Sequence, residues 1–370
     1  RELASNVFRK GYQWPFHSSR MLDYGSSLFD LAVYLEQKAG RKVYLDFLRN
    51  PDPVNEGEAF SLDDLDPDVR AYLENNDALL ELPIDRLRRM NPLAIELYRM
   101  HGTDIAKEPL EFTMNNQHMN GGILIDDWGR TTLDGCYAIG EAAGSHGVTR
   151  PGGAALNSGQ VFGKRVAVAI RRRKVHQRVE AASPETVAES VRAMFRDAQT
   201  FLEAGEEAPT VEAVRDEIQA RMSDYAGIIC TAEGVRSALE AARALRRKVA
   251  EKGIRVSSPV MVVRAFRWKQ MAAVSEAVLA ALDDYIAHGG GSRGARAICS
   301  PKGGWCPQAR EVDLSAFRFI EERPEDRDEK LVVWPRGEGF VVERVKVDRT
   351  PEVHRQFFEK AWGDFLIKEG

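Results

Sequence analysis

Cysteine is scarce in this chain, with four in 370 residues, at positions 136, 230, 299 and 306. None form a CxxC pair and no histidine cluster accompanies them, so the spacing supports neither a metal site nor a disulfide framework. Free thiols in a reducing cytoplasm are the expectation. No apolar run approaches the roughly 20 residues that span a bilayer, and the start carries no signal-peptide pattern. Charge of one sign is not in excess. The 52 basic and 56 acidic residues leave a net charge of −4, which removes the electrostatic case for nucleic acid or an anionic membrane. Low-complexity segments and internal repeats are missing. So is a GxGxxG turn after an early strand, the element that cradles a pyrophosphate. The first residue is Arg1 rather than Met, which reads as a processed, cleaved or trimmed chain.

What is present is an ordinary globular composition, 44% apolar and 29% charged, at a length that calls for more than one domain or a domain with insertions. Leu28, Leu31, Ala32 and Leu35 recur at helical spacing and predict a helix over 26–38. Val43, Leu45 and Phe47 alternate, as in a strand. Residues 51–68, rich in Pro, Asp, Glu and Asn, read as loop, and 84–102 as helix. After a mixed central block, 183–288 shows four helical stripes. The first is Val187, Val191, Met194, Ala198 and Phe201, behind a Ser183 cap and Pro184. The second is Val211, Val214, Ile218 and Met222. The third, capped by Thr231, carries Val235, Leu239, Ala242, Leu245 and Val249. The fourth runs from about Val260 to Ala287 and stops at Gly289-Gly290-Gly291. These stripes are expected to be core of a bundle-like domain. Leu331–Trp334 and Phe340–Val347 read as a hairpin, and about 351–367 as a final helix.

The central block is the informative one. Gly121-Gly122 precedes the short apolar run Ile123–Ile125, and Gly129-Arg130-Thr131 reads as a turn. Cys136–Ile139 reads as a short buried strand ending at Gly140. A glycine-rich loop over 144–153 follows, then a helix from about Ala154 to Arg171. Strand, glycine loop and helix in this order suit a cofactor-facing turn of an α/β domain.

These residues resemble the flavoprotein family of succinate dehydrogenase, fumarate reductase and L-aspartate oxidase. The match lies in Gly121-Gly122-Ile123, Gly129-Arg130-Thr131, Tyr137-Ala138-Ile139-Gly140-Glu141, and His146-Gly147-Val148-Thr149-Arg150-Pro151-Gly152-Gly153. Weaker similarity extends to Tyr44-Leu45-Asp46, Gln219–Leu239, Ser292-Arg293-Gly294-Ala295 and Phe357–Phe365. The resemblance implies the C-terminal half of an FAD-dependent oxidoreductase, α/β plus α in class. Its parts would be the remainder of a cap domain over 1–110, the end of a glutathione-reductase-like FAD-binding domain over 111–172, a helical domain over 183–320, and a small C-terminal segment over 321–370. The cofactor would be FAD and the ligand a small carboxylate. The partners would be an N-terminal FAD-binding half, on the same or a separate polypeptide, and an electron-transfer subunit. Without the pyrophosphate turn the chain alone is expected to bind FAD weakly or not at all. The alternative is a non-catalytic scaffold subunit or cleaved domain that completes a flavoprotein with a separate N-terminal chain.

Each matched residue has a physical rationale within that resemblance. Glu141 can accept hydrogen bonds from ribityl or ribose hydroxyls, or be an exposed loop glutamate. Gly152-Gly153 ahead of the helix lets backbone approach a flat ligand closely, and the resemblance places Gly122 among the cofactor-binding residues with Gly153. A helix start at Ala155 and Leu156 directs free N–H groups at reduced flavin near N1 and O2. Arg150 suits a bidentate grip on a substrate carboxylate better than lysine would. His146 either shapes the pocket or is structural. Where the family has Asn-Ser-Leu this chain has Ala154-Ala155-Leu156, and Gln117, followed by His118, stands where the family has a catalytic-site histidine. Gln117 brings no positive charge, so the substrate is expected to be other than succinate or fumarate, and His118 can compensate only if its ring turns into the same pocket.

Overall fold

The computed structural model describes residues 2–10, 26–52, 58–115, 118, 120–148, 154–176, 183–304, 306, 307, 309 and 312–347. The expected helix at 351–367 lies outside them.

The first segment is a set of short helices beside one small antiparallel pair. Helix α1 (Glu2–Arg9) packs on α3 (Pro67–Asn75), closing a core of Ala4, Leu65, Val69, Leu73 and Ala78. Arg9 fastens the two elements by donating to Asp66 at 2.8 Å and Asp68 at 2.6 Å. The reading of 51–68 as loop stops short here. Ser61 caps a 3₁₀ turn at Leu62–Asp64, and Pro67, preset for a first helical turn, starts α3. Helix α2 (Ser26–Lys38) forms where the periodicity places it. The expected helix over 84–102 is two helices, α4 (Pro83–Met90) and α5 (Pro92–Met100). The break has a local cause, because Pro92 drives Asn91 out of helical geometry, to φ −153°. Strand β1 (Val43–Leu45) pairs antiparallel with β2 (Leu110–Phe112).

The four-helix region is α7 (Pro184–Leu202), α8 (Val211–Tyr225), α9 (Ala232–Lys252) and α10 (Val262–Ala287). Ser183, Thr210 and Thr231 each cap a helix by accepting a backbone N–H into the side-chain oxygen. Helices α9 and α10 run antiparallel, since Arg236 pairs with Asp283 while Arg246, farther along α9, pairs with Glu276, earlier in α10. The α9 stripe is buried from Val235 to Val249, and each fully buried Val or Leu contributes about 1.5–3 kcal/mol of transfer free energy. The α7 stripe departs from expectation. Val187, Val191 and Met194 are exposed, and only the far end of the helix reaches the core, where Phe201 meets Phe266 edge-on at 5.2 Å.

Two strands tie the ends together. Strand β3 (Ile229–Cys230) pairs in parallel with β4 (Ala297–Ile298). Ile229 and Ala297 join Leu28 and Leu31 of α2 with Leu314, Phe317 and Phe319 in one cluster, while Cys230 and Ile298 face α9 and α10. The hairpin forms as read, with β5 (Glu329–Arg336) and β6 (Gly339–Lys346) joined by Gly337-Glu338. It lies against α10 through the Arg344–Asp284 pair at 2.7 Å and through Phe340 and Val342.

Candidate functional site

Helix α6 (Ala154–His176) organises the central block. Its first half lies against the preceding turn, with Gly159 facing the Gly140 Cα and Gly163 facing the Ile139 side chain at ordinary contact distance. The Ser145 and Ser158 hydroxyls, 2.8 Å apart, link loop to helix.

Residues 121–144 form a compact knot. Ile123 makes a parallel bridge with Ala143. Gly122, at φ +149°, lies so close to the backbone of Ala142–Gly144 that a Cβ would come within 2.6 Å of the Ala143 carbonyl carbon. The Gly129-Arg130-Thr131 turn is closed by Asp126, which accepts from the backbone N–H of Trp128 and Arg130 and from the Arg130 guanidinium at 2.6 Å. Burial opposes ionisation of Asp126, but these donors outweigh it and hold the carboxyl below its ordinary value. The expected buried strand at Cys136–Ile139 is instead a single bridge, Tyr137 to Arg130. Only Ala138 there is buried, while Cys136 and Ile139 are exposed.

The sequence-picked residues fall into two groups. Glu141, His118 and the α6 start come together. The Glu141 side chain is 66% exposed and its Oε1 is 3.6 Å from His118 Nε2. Ala155 is half-buried and Leu156 exposed in the first turn of α6. That turn has no acidic residue, whereas α7, α8 and α9 each carry a glutamate there. The positive end of α6 is thus not neutralised from its own first turn. Arg150, Gln117 and Gly153 lie outside the described residues.

Two features escaped the sequence. His146 is buried, with Nδ1 2.7 Å from His118 Nε2. Asn120, at φ +53°, donates its side-chain amide to the Val148 carbonyl at 2.8 Å. Asn ahead of Gly-Gly is a turn signal that could have marked Asn120. No spacing rule joins residues 118 and 146.

In the same block Ile123, Leu133, Ile139, Leu156 and Val161 are exposed. Among the described residues no cluster of His, Cys, Asp or Glu could hold a metal, and no helix is long and apolar enough to cross a membrane. A hollow of about 380 Å³ in the first segment, beside Asn50, Phe60, Arg70 and Glu81, includes none of these site residues.

Residues 43–156 match the family model described as FAD binding domain. Over 158 residues, 40% of this chain, the sequence is 32% identical to a polypeptide of the fumarate reductase (CoM/CoB) of Methanothermobacter marburgensis, covering 26% of that protein. It is 26% identical to the L-aspartate oxidase of Yersinia pestis over 186 residues, 49% of this chain and 33% of that one. The fold matches FrdA of the E. coli quinol fumarate reductase with a TM-score of 0.58 at 18% identity, over 87% of this chain and 48% of FrdA. It also matches Mycobacterium smegmatis Sdh1, with a TM-score of 0.54 at 21% identity, over 71% of this chain and 41% of the other. The chain thus covers less than half of each of these proteins.

Proposed function

Because the chain belongs to the flavoprotein family of fumarate reductase and L-aspartate oxidase, whose cofactor is FAD, we propose that it is the C-terminal half of an oxidoreductase that passes a hydride between FAD and a small, unsaturated, carboxylate-bearing acid. The observation that carries the reading is the convergence of Glu141, His118 and the α6 start on one corner.

These residues fit the flavin end of FAD. Glu141 presents an exposed carboxylate able to accept from ribityl hydroxyls. The first N–H groups of α6, at Ala155 and Leu156, suit the anionic edge of a reduced ring. Ile139 and Leu156 offer apolar surface to its flat face. Gly122 acts through the backbone, holding the loop that carries His118 against the Glu141 turn. When bound, FAD supplies the hydride chemistry, and the protein supplies binding, orientation and exclusion of water. Arg150 is assigned the grip on the substrate carboxylate. Gln117, neutral where the family has histidine, favours an acid with one carboxylate over fumarate.

The chain covers less than half of each of the relatives it matches, which favours a further polypeptide beside it. We assign it the nucleotide-binding half of the FAD domain, on the same or a separate chain. The second partner assigned is an electron-transfer subunit. We assign the protein to the cytoplasm, where its four cysteines would stay reduced.

The test is flavin retention by the intact protein. It should purify yellow, and Glu141→Ala should weaken FAD binding about tenfold, the loss of one strong hydrogen bond. A colourless protein that does not quench FAD fluorescence would favour the scaffold alternative.

A further inference from the structure

The two histidines can share only one arrangement of protons. The backbone N–H of Asn120 donates to His118 Nδ1 at 2.8 Å, so that nitrogen carries a lone pair. In a neutral ring the His118 proton is then on Nε2. That nitrogen is 2.7 Å from His146 Nδ1, so His118 donates and His146 accepts. The reverse would leave His118 with no ring proton at all. His146 therefore carries its proton on Nε2. This nitrogen is buried, in a residue 8% exposed overall, and has no hydrogen-bond partner among the described residues.

An unsatisfied buried N–H is rare in a native protein and points to an absent acceptor. A second orphan lies on the adjoining loop. Asn120 Oδ1 is buried without a partner among the described residues, while its amide nitrogen is fixed on the Val148 carbonyl.

We propose that His146 Nε2–H, rather than His118, donates a hydrogen bond to a carboxylate oxygen of the bound acid, with His118 as the positioning residue that fixes the His146 tautomer. The proposal rests on the functional reading above and deepens it. His118 has both ring nitrogens engaged, so it does not replace the charge that Gln117 lacks. Asn120 Oδ1 would accept from a donor on the same acid, or from a water bound with it.

Two measurements test this. In the intact protein with ¹⁵N-labelled histidine, His146 should show the Nε2–H tautomer, and its Nε2 resonance should move on addition of the tightest-binding of fumarate, crotonate and cinnamate. A proton on Nδ1, or an unmoved resonance on saturation, overturns the proposal in the wild-type protein, whatever any variant does. His146→Asn places an oxygen near the Nδ1 position and lacks the Nε2 donor, while His146→Gln keeps a donor near Nε2 and lacks the Nδ1 acceptor. In titrations of the FAD-loaded protein followed by flavin absorbance, His146→Asn should weaken that acid about ten- to a hundredfold, and His146→Gln should stay within about threefold of wild type. Equal affinity in wild type and His146→Asn overturns the proposal and leaves the functional reading standing. A wild-type protein that holds no flavin, or holds flavin and binds none of the three acids, overturns the functional reading and this proposal with it.

Discussion

Adding one methyl group at Gly122 should disrupt the knot that holds the Glu141 turn. A Cβ there would meet the Ala143 carbonyl carbon at 2.6 Å, the Ala142 oxygen at 2.7 Å and the Gly144 nitrogen at 2.8 Å. All three are backbone atoms, so no side chain can swing aside. Two hydrogen bonds cross this contact, Ile123 N–H to Ala142 O and Gly144 N–H to Ile123 O, both at 2.9 Å. Each contributes about 0.5–1.5 kcal/mol net, and a non-glycine residue at φ +149° adds about 1–2 kcal/mol of strain. Gly122→Ala should therefore cost about 2–5 kcal/mol locally. Gly121→Ala is the control, because a Cβ there meets nothing within 4 Å, and it should stay within about 0.5 kcal/mol of wild type. Hydrogen exchange of the peptide containing the Ile123 and Gly144 amides reads the local opening directly, with thermal unfolding as the global check. If Gly122→Ala and Gly121→Ala protect these amides equally, the backbone-contact argument is wrong.

In the helical region, Glu276 is buried between Arg246 at 2.7 Å and Arg243 at 3.7 Å. Glu276→Ala strands a partly exposed arginine and should cost about 2–3 kcal/mol in urea unfolding, toward the low end for buried pairs. Burial pushes the Cys230 thiol up to about 11 against partial relief from Arg296. A native-state thiol assay at pH 8 should therefore label exposed Cys136 and spare Cys230. Because the Cys230 pKa is raised in the folded state, the stability it contributes is complete below the unfolded value, about 8.5. It is lost as pH rises through about 11, and Cys230→Ala should flatten that part of an alkaline unfolding profile. Arg150→Lys should keep the flavin spectrum but lower turnover about a hundredfold, roughly 3 kcal/mol of transition-state binding. Unchanged turnover on enoate acceptors would remove Arg150 from the site.

The helical region was the most legible part of the chain because its signals are local. The stripe of α9 and the caps at Ser183 and Thr231 sit within a few residues of the structure they dictate. Helix α7 shows the limit of such reading. Its stripe is as regular as that of α9, but among the described residues only its end, Ala198 and Phe201, is drawn in from solvent, and periodicity alone does not say whether a neighbour exists. The first segment was misread where proline chemistry decides between loop and helix, at Pro67 and Pro92. Pairing between distant stretches, such as Val43–Leu45 with Leu110–Phe112, leaves no mark in either stretch alone. At the site, Glu141 and the α6 start stood out through motif order. The His118–His146 contact did not, since it depends on two loops meeting through Asn120 and Val148.

Leu28 and Leu31 of α2 are buried against Phe317 and Phe319, from opposite ends of the described chain. On a ribosome adding ~5–20 residues per second, the first pair emerges on the order of fifteen seconds to a minute before the second. Throughout that interval α2 has part of its apolar face without its native cover and is open to chaperones or to misassociation with other nascent chains. Synonymous codon changes that slow synthesis between residues 31 and 317 should lengthen this exposure and lower soluble yield without altering the finished protein. Ser or Thr at Leu31 would shorten the dwell on chaperones, but at the expense of the cluster that later joins α2 to β3 and β4.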